Sequence, residues 1–332
     1  MIKFSIIIPV VKINDYIHET VRHILNLDFQ DFEILILPDS KTQEKFPKTK
    51  IIPTGKIGPA EKRNLGGKRA QGKILAFLDD DAYPEKRWLT RAWKNFQDPK
   101  IAALGGPAIT PREDNIFQKT SGACLASSLF GGIVDRYRPG KQKKLVEDWP
   151  SVNLLVRKKT FQKIGGFNSR FWPGEDTKFC LDLIQDNNKI IYDPALLVYH
   201  HRRMTLKGHL KQTAGYGSHR GFFAKKFPKT SRKLAYAFPS LFVLFLVFAI
   251  IVIALLPGSR LAYFAIFILG IYAASLFFFA IQAIIREKNF LVGILIIPYL
   301  FFTHIVYGVK FLQGLVFTRV GNKNLYSLRK QG

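Results

Sequence analysis

Three consecutive aspartates, Asp79, Asp80 and Asp81, directly follow a short apolar run at residues 73–78. Neighbouring carboxylates repel one another, so such a cluster needs a positive charge beside it. Carboxylate oxygens are ligands that Mg²⁺ and Mn²⁺ prefer, and Mg²⁺ commonly combines one or two carboxylates with the phosphates of a substrate. Asp79 and Asp81 share a face if the segment is extended, so the pair predicts a divalent metal site. The alternative is an acidic turn exposed to solvent.

The aspartate cluster stands at the end of one of several apolar segments that alternate with helices. Runs rich in Ile, Leu and Phe predict strands at 4–10, 32–37 and 73–78. Apolar residues at helical spacing predict helices at 16–27 and 60–71, between those strands. This alternation predicts an α/β, Rossmann-like fold with a mostly parallel sheet and flanking helices.

Two of the predicted strands end in acids. Asp39 follows the strand at 32–37, and the aspartate cluster follows the strand at 73–78. Open parallel sheets bind ligands beyond the carboxyl ends of their strands, and these ends lie on one edge of the sheet. We therefore expect Asp39 and the aspartate cluster to belong to a single site.

Two adjacent histidines, His200 and His201, stand near the end of a later strand-like segment. Imidazole is a common metal ligand. Either His200 or His201 is therefore a candidate third ligand beside Asp79 and Asp81, and His200 is the one we assign. The alternative is that both are ordinary polar histidines.

The order of several short motifs resembles that of family 2 glycosyltransferases. The resemblance covers residues 3–225, about two-thirds of the chain. Each motif is weak alone, but five in the expected order are specific. The motifs are Ser5-Ile6-Ile7-Ile8-Pro9, the acid-ended second strand, Gly58-Pro59-Ala60-Glu61-Lys62-Arg63-Asn64-Leu65-Gly66, the segment from Ala70 to Asp81 with Pro84 and Trp88-Leu89 after it, and Gly165-Gly166-Phe167 with Trp172-Pro173-Gly174-Glu175-Asp176.

The resemblance implies a GT-A fold and transfer of a sugar from a nucleotide diphosphate sugar, with inversion at the anomeric carbon. It implies that Asp79 and Asp81 hold a Mg²⁺ or Mn²⁺ ion that bridges the diphosphate, and that Asp39 faces the base. The resemblance further implies that the nucleotide-sugar site is lined by Pro9, Val10, Asp39, Arg63, Asn64, Asp79 and Asp80.

The resemblance also implies that Asp176 deprotonates the acceptor hydroxyl, with Glu175 beside it and Trp172 on the acceptor side. Physical chemistry supports these roles. The charge that develops on a diphosphate leaving group is neutralised by a metal ion, and a hydroxyl nucleophile needs a positioned base such as a carboxylate. The alternative for Glu175 and Asp176 is capping of the helix that follows.

The segment Leu37-Pro38-Asp39-Ser40 departs from the family pattern. Family members usually have two acids after the second strand, whereas here Pro38 replaces the first. The choice of nucleotide therefore stays open.

Charge and hydrophobicity separate along the chain. The whole chain carries 50 Lys and Arg against 24 Asp and Glu, a net charge of +26, although 48% of its residues are hydrophobic. Residues 234–332 contain a single acid, Glu287. Their apolar runs at about 234–256, 261–285 and 290–317 exceed the roughly 20 residues that a membrane-spanning helix needs. The third run contains Pro298 and Lys310 and either spans the membrane or is re-entrant or interfacial.

Residues 206–233 precede the first apolar run and contain eight Lys and Arg but no acid. Such a segment predicts a basic amphipathic element at an anionic membrane surface. Gln212 and Arg220 lie where relatives carry an acceptor-site motif, although the match is loose. Nucleic-acid binding is the rival explanation of the charge, but no base-reading motif accompanies it. We expect anionic lipids and no nucleic acid as partners.

The chain is therefore predicted to be a membrane-anchored, metal-dependent, inverting glycosyltransferase with a catalytic domain at 1–205 and a basic tail at 318–332. Its start lacks the shape of a signal peptide, and the basic flanks of the apolar runs favour the cytosol. We expect a multi-pass protein of the cell membrane whose cytosolic domain modifies a lipid-linked saccharide. The alternatives are a polyprenyl-phosphate sugar synthase and a non-catalytic scaffold that binds a sugar nucleotide.

Overall fold

The computed structural model describes residues 2–127 and 134–317. The basic tail predicted at 318–332 lies outside these residues. The described residues group into two compact units, one from residues 2–109 and 135–201 and the other from residues 110–127, 134 and 202–317. The second unit therefore includes a segment from within the predicted catalytic domain.

The elements follow the predicted alternation in the first unit. The strands are β1 Phe4–Pro9, β2 Phe32–Leu37, β3 Thr49–Ile51, β4 Ile74–Phe77, β5 Ala82–Pro84, β6 Ile101–Gly105, β7 Ala108–Ile109, β8 Lys144–Val146, β9 Leu154–Arg157, β10 Lys189–Tyr192 and β11 Val198–His200. The helices are α1 Asp15–Leu25, α2 Pro59–Arg69, α3 Trp88–Asn95, α4 Ile116–Leu125, α5 Lys158–Ile164, α6 Glu175–Gln185, α7 Leu206–Lys226, α8 Pro228–Ser231, α9 Leu234–Leu255, α10 Arg260–Glu287 and α11 Phe290–Phe317.

The main sheet has eight strands in the order β3-β2-β1-β4-β9-β6-β10-β8. Strands β3, β2, β1 and β4 are parallel, as is the pair β6 and β10. β9 runs antiparallel between β4 and β6, and β8 is an antiparallel edge strand. The mostly parallel sheet is confirmed. The predicted site lies at the carboxyl ends of its parallel strands β2 and β4. A second sheet of three strands has the order β5-β11-β7.

The continuous apolar run of β1 is explained by burial on both faces of the sheet. Ile6 and Ile8 belong to a core that includes Ile17 of α1, whereas Ile7 belongs to a second core that includes Phe161 of α5. Successive side chains of a strand point to opposite faces. A strand covered by helices on both faces therefore has no polar face.

The position of α2 against the sheet depends on a glycine. A Cβ at Gly66 would lie 2.6 Å from the Ile7 side chain, so only a residue without a side chain allows this approach of helix and strand. The preceding turn of α2 carries the buried residues Lys62 and Arg63. The close approach thus brings two cationic side chains to the sheet.

The second unit contains the three long apolar helices α9, α10 and α11. Each is long and apolar enough to cross a membrane, and their bounds agree closely with the three predicted runs. Many of their apolar side chains are exposed, for example Leu244 at 53% and Ile250 at 59%. Exposed apolar surface of this extent is typical of contact with lipid.

Helix α4 was missed by sequence reasoning, and it belongs to the second unit. Asn115 begins it with a capping box to Gln118. Its buried face includes Cys124, which packs in one cluster with Leu276 of α10 and Ile296 of α11. Much of that face is small or polar, so the segment lacks the apolar periodicity that predicts a helix.

A buried polar cluster joins α4, α7 and α11. His209 of α7 is fully buried, with Nδ1 2.8 Å from Ser121 Oγ and Nε2 2.8 Å from Thr303 Oγ1. Burial, together with the positive charge of Arg202, lowers the pKa of His209 to about 4. The neutral ring has one donor and one acceptor nitrogen. The ring can therefore form one hydrogen bond to the Ser121 hydroxyl on α4 and one to the Thr303 hydroxyl on α11.

Helices α7 and α11 approach backbone to backbone. A Cβ at Gly217 would lie 2.5 Å from the Tyr307 carbonyl oxygen, and one at Gly221 would lie 1.9 Å from that of Phe311. A Cβ at Gly215, on the same helix, would meet nothing within 4 Å. The contact thus depends on particular glycines of α7 and not on its overall glycine content.

The glycines of α7 permit a matched test of this contact. We expect Gly215→Ala to raise the free energy of unfolding by up to about 1 kcal/mol, because alanine favours a helix over glycine. Gly221→Ala makes the same change in propensity but forces a Cβ against the Phe311 carbonyl, so we expect a loss of about 1–3 kcal/mol. Thermal unfolding of the detergent-solubilised protein measures both. Equal effects of the two variants would contradict the close contact.

Candidate active site

The aspartate cluster lies between β4 and β5, at the carboxyl end of β4. Asp79, Asp81 and His200 each place one ligand atom within 4.8 Å of the others. His200 Nε2 lies 3.0 Å from Asp81 Oδ1. His200 reaches this position because β11 pairs antiparallel with β5, which sets His200 opposite Ala82. The structure thus brings the two predicted carboxylates together with the candidate histidine.

The donors of this cluster fit a divalent cation. Two carboxylate oxygens and one imidazole nitrogen are ligands that Mn²⁺ accepts, and Mg²⁺ accepts the carboxylates. His200 is buried, whereas Asp79 and Asp81 are half-buried. Asp80, the middle residue, is also half-buried. A divalent cation held by these three residues would keep coordination positions for other oxygen ligands.

Arg63 of α2 joins the aspartate cluster to the acids of α6. It is buried, and its Nη2 donates to Asp79 Oδ1 at 2.6 Å while its Nη1 donates to Glu175 Oε1 at 3.1 Å. Burial lowers the pKa of Arg63, but the charges of Asp79, Glu175 and Asp176 raise it by more, and the net shift is upward. Arg63 is therefore a permanent buried cation between the two acidic groups.

Glu175 and Asp176 occupy the first turn of α6. Burial of Glu175 and the adjacent charge of Asp176 raise the pKa of Glu175 to about 7, although the charge of Arg63 opposes the shift. Asp176 accepts hydrogen bonds from the backbone N–H groups of Ser151 at 3.3 Å and Thr177 at 2.7 Å. The bond to Thr177 satisfies a backbone N–H in the first turn of α6, but the N-cap residue is Gly174 and the helix has no side-chain cap hydrogen bond.

Asp39 has a partner that sequence reasoning missed. Lys62, almost fully buried, donates from Nζ to Asp39 Oδ1 and to the Val10 carbonyl oxygen. Pro9 and Val10 at the end of β1 are therefore beside Asp39 at the end of β2. Most lysines of so basic a chain are expected to be exposed, so Lys62 did not stand out in the sequence. Its position next to Arg63 in the α2 motif was the signal that could have identified it.

Asn64 holds a neighbouring motif in place. Its Nδ2 donates to the Phe167 carbonyl at 2.7 Å, and its Oδ1 accepts from the Phe167 N–H at 2.8 Å. Gly166 has a φ of +75°, and a Cβ there would lie 2.5 Å from Asn64 Oδ1. Both halves of the Asn64 amide thus bind the backbone after Gly165-Gly166, on the path to α6.

The three residues predicted on the acceptor side are found in different units. Trp172 is half-buried and precedes α6 in the first unit. Gln212 and Arg220 lie on α7 in the second unit. Arg220 is buried, donates to Ser231 Oγ at 3.3 Å and stands 4.6 Å from the centre of the Tyr236 ring. These contacts tie Arg220 to the start of α9.

The chain is similar in sequence to other glycosyltransferases, two of which are described here. It is 30% identical over 213 residues to a pre-mycofactocin glycosyltransferase of Mycobacterium tuberculosis (strain ATCC 25618 / H37Rv), a match that covers 62% of this chain and 45% of the relative. The chain thus spans less than half the length of that relative. It is 26% identical over 334 residues to the dolichyl N-acetyl-alpha-D-glucosaminyl phosphate 3-beta-D-2,3-diacetamido-2,3-dideoxy-beta-D-glucuronosyltransferase of Methanococcus voltae, covering 94% of this chain and 97% of the relative.

A solved structure shares the fold. The mannosyltransferase of Pyrobaculum calidifontis, in complex with GDP-Man and Mn²⁺, superposes with a TM-score of 0.63 at 16% identity, over 96% of this chain and 88% of the other. This likeness confirms the predicted GT-A fold. Residues 5–165 match the family described as Glycosyl transferase family 2. With the motif order, the fold and these relatives in agreement, the chain contains a glycosyltransferase family 2 domain.

Proposed function

We propose that the chain transfers a sugar, with inversion, from a nucleotide diphosphate sugar to a lipid-linked saccharide at the membrane. One observation carries the proposal: Arg63 joins a fitting metal cluster, Asp79, Asp81 and His200, to a pair of acids at the start of α6. Such a transfer requires a site for a metal ion and a diphosphate, and a proton acceptor near it. Here Arg63 connects these two parts.

The residues of the donor half bind and orient the nucleotide sugar. Asp79, Asp81 and His200 would hold Mn²⁺ or Mg²⁺, which when bound neutralises the charge of the departing diphosphate. Asp39, with Lys62 and the Val10 carbonyl beside it, offers both an acceptor and a donor for the edge of a base. Arg63 holds Asp79 in position through its hydrogen bond to Oδ1.

The residues of the acceptor half move one proton. Asp176 takes the proton of the attacking hydroxyl, and the hydroxyl oxygen replaces the diphosphate at the anomeric carbon. A single displacement of this kind inverts the configuration. Glu175, with a pKa near neutrality, is a positioning residue that links Asp176 to Arg63.

The proposal of a lipid-linked acceptor rests on the Methanococcus voltae relative and on the apolar helices. The name of the Methanococcus voltae protein describes a dolichyl-phosphate-linked sugar as its acceptor, and its match extends over 94% of this chain, most of the apolar helices included. Helices long enough to cross a membrane would keep such an acceptor near the enzyme. We further propose that the catalytic unit is cytosolic and the protein multi-pass.

Anionic lipid headgroups are the proposed partners of the basic segment before α9. Seven of its cationic side chains are exposed, namely Lys207, Lys211, Lys225, Lys226, Lys229, Arg232 and Lys233. Each such charge near an anionic surface contributes about 1 kcal/mol to membrane binding. Residues 206–233 contain no acid that would oppose this attraction.

Removing a ligand from the metal cluster should weaken metal binding. We expect Asp81→Asn and His200→Gln each to lower the affinity for Mn²⁺ by about tenfold or more, because each removes one of the three ligands. Titration calorimetry or electron paramagnetic resonance of Mn²⁺ measures this affinity. Asp98→Asn, at an exposed aspartate of the same unit, is the control and should bind as the unsubstituted protein does. Unchanged binding in both ligand variants would contradict the metal site.

Replacing the proposed base should stop the chemistry but not the binding. We expect Asp176→Asn to lower kcat by about 10²–10⁴-fold, the usual contribution of a general base, with nucleotide and Mn²⁺ binding retained. Transfer from a panel of nucleotide sugars into membrane lipid extract is the assay. Full activity of this variant would instead favour a polyprenyl phosphate as acceptor, since a phosphate is already ionised. Binding without transfer in the unsubstituted protein would favour a scaffold.

Arg63 should be essential to stability, in contrast to another arginine of the same helix. Arg63→Gln leaves Asp79 and Glu175 without their shared cation, so we expect a loss of about 3–5 kcal/mol in the free energy of unfolding. Arg69→Gln, at an exposed position of α2, should change it by less than about 0.5 kcal/mol. Denaturant unfolding measures both, and a similar small effect of the two would contradict the role given to Arg63.

A further inference from the structure

Helix α1 has a polar face beside its apolar one. Ile17, Val21 and Ile24 are buried in the hydrophobic core. Positions three and four residues apart lie on the same side of a helix, and a neighbouring set at this spacing is polar or aromatic. We name this set the polar face of α1, and it consists of Tyr16, Glu19, Thr20 and His23. From the sequence, a face of this kind is expected to contact solvent.

In the structure the polar face of α1 packs against the second sheet. All four of its residues are buried or half-buried. Thr20 is 1% exposed, and its Oγ1 donates to the Ala82 carbonyl at 2.9 Å. The His23 ring stacks on the Tyr83 ring, with centres 4.1 Å apart. Ala82 and Tyr83 belong to β5, which directly follows Asp81, so α1 is bound to the strand that continues from the aspartate cluster.

His201 is the next contact of this face. Its Nε2 lies 2.8 Å from Glu19 Oε2. Because an ionised carboxylate only accepts hydrogen bonds, the ring N–H of His201 is the donor. The Tyr16 ring stacks on the His201 ring, with centres 4.7 Å apart. Two residues of α1 therefore hold the His201 ring, one at its edge and one on its face.

The backbone of His201 is bonded to the aspartate cluster. Its N–H donates to the Asp81 carbonyl at 3.0 Å. This bond extends the antiparallel pairing of β11 with β5 by one residue beyond His200 and Ala82. Successive residues of a strand point to opposite faces. The side chain of His200 therefore turns to the aspartate cluster, and that of His201 turns to α1.

The aspartate cluster needs restraints of this kind because its carboxylates repel one another. Arg63 of α2 holds Asp79 through the side chain. The contacts of α1 act on the other end of the cluster, since His201 holds the Asp81 carbonyl and Thr20 holds the carbonyl of the next residue. The two ends of the cluster are thus held by two different helices, α2 and α1.

We infer that Glu19 and His201 are positioning residues of the proposed metal site. Neither is one of its three ligands. Glu19 fixes the ring of His201. The backbone of His201 in turn fixes Asp81 and the adjacent His200 at the separation that a divalent cation requires. Replacing residues that hold metal ligands in place commonly lowers the metal affinity by about 10–100-fold. The inference rests on the proposed function, because it requires that the aspartate cluster and His200 bind the cation.

Variants at Glu19 test this role. Glu19→Ala removes the partner of the His201 ring, whereas Glu19→Gln keeps an oxygen that can accept the same hydrogen bond. We expect Glu19→Ala to lower the affinity for Mn²⁺ by about tenfold, and Glu19→Gln to restore most of it. Electron paramagnetic resonance of Mn²⁺ titrated into the detergent-solubilised full-length chain measures this affinity. Tyr16→Leu, which removes the stacked ring, is a second variant and should weaken Mn²⁺ binding in the same direction.

Glu44→Ala is the matched control. Glu44 Oε1 lies 3.5 Å from Nε2 of His18, a residue of α1, so this variant also removes a carboxylate from a histidine. Both side chains of that pair are exposed. We expect Mn²⁺ to bind this variant as it binds the unsubstituted chain. The Tm of each variant is measured without metal, because a purely structural role would lower Tm and leave the Mn²⁺ affinity of the folded protein unchanged.

An Mn²⁺ affinity of Glu19→Ala equal to that of Glu44→Ala would overturn the inference, while the metal site itself would stand. A lowered Tm with unchanged Mn²⁺ affinity would overturn it in the same way. An unsubstituted chain that binds no Mn²⁺ would refute the metal site and the inference together. The readout is metal binding and not sugar transfer, so it does not depend on the identity of the nucleotide sugar or of the acceptor.

Discussion

The buried positive charge of Arg63 is the interaction on which the candidate active site depends. It contacts Asp79 after β4 and Glu175 in α6. A buried carboxylate without a partner costs several kcal/mol, so acids from two distant segments can meet here only because one cation contacts both. A guanidinium remains protonated at any physiological pH. Its delivery to this point requires Gly66, which lets α2 approach Ile7 of β1.

The same helix supplies a second buried cation, and the two cations serve different strands. Lys62 contacts Asp39 after β2, whereas the adjacent Arg63 contacts Asp79 after β4. Successive residues of a helix point about 100° apart, so two neighbouring positions reach two separate strand ends. The acids at the edge of the sheet are thus compensated from one element, which places the proposed base-binding and metal-binding parts of the site at a defined separation.

In the second unit, charged and apolar helices favour different surroundings. The apolar surfaces of α9 and α10 favour lipid, while the lysines of α7 require water or headgroups. Helix α11 is apolar enough for the first environment but is bound to α7 through Gly221 and Gly314. An apolar helix is thus packed backbone to backbone against a charged one.

The strands before Asp39 and Asp79, the acids of the proposed metal site and the three apolar helices could be predicted from the sequence, because burial and periodicity are local properties of the chain. The ordered motifs also indicated the family. Other features depend on contacts between distant segments. Only the tertiary structure showed that Lys62 is buried against Asp39, that β11 sets His200 beside Asp81, and that α4 joins the apolar helices. Pairing of this kind has no local signature, since each partner is an ordinary residue until the fold brings it to the other.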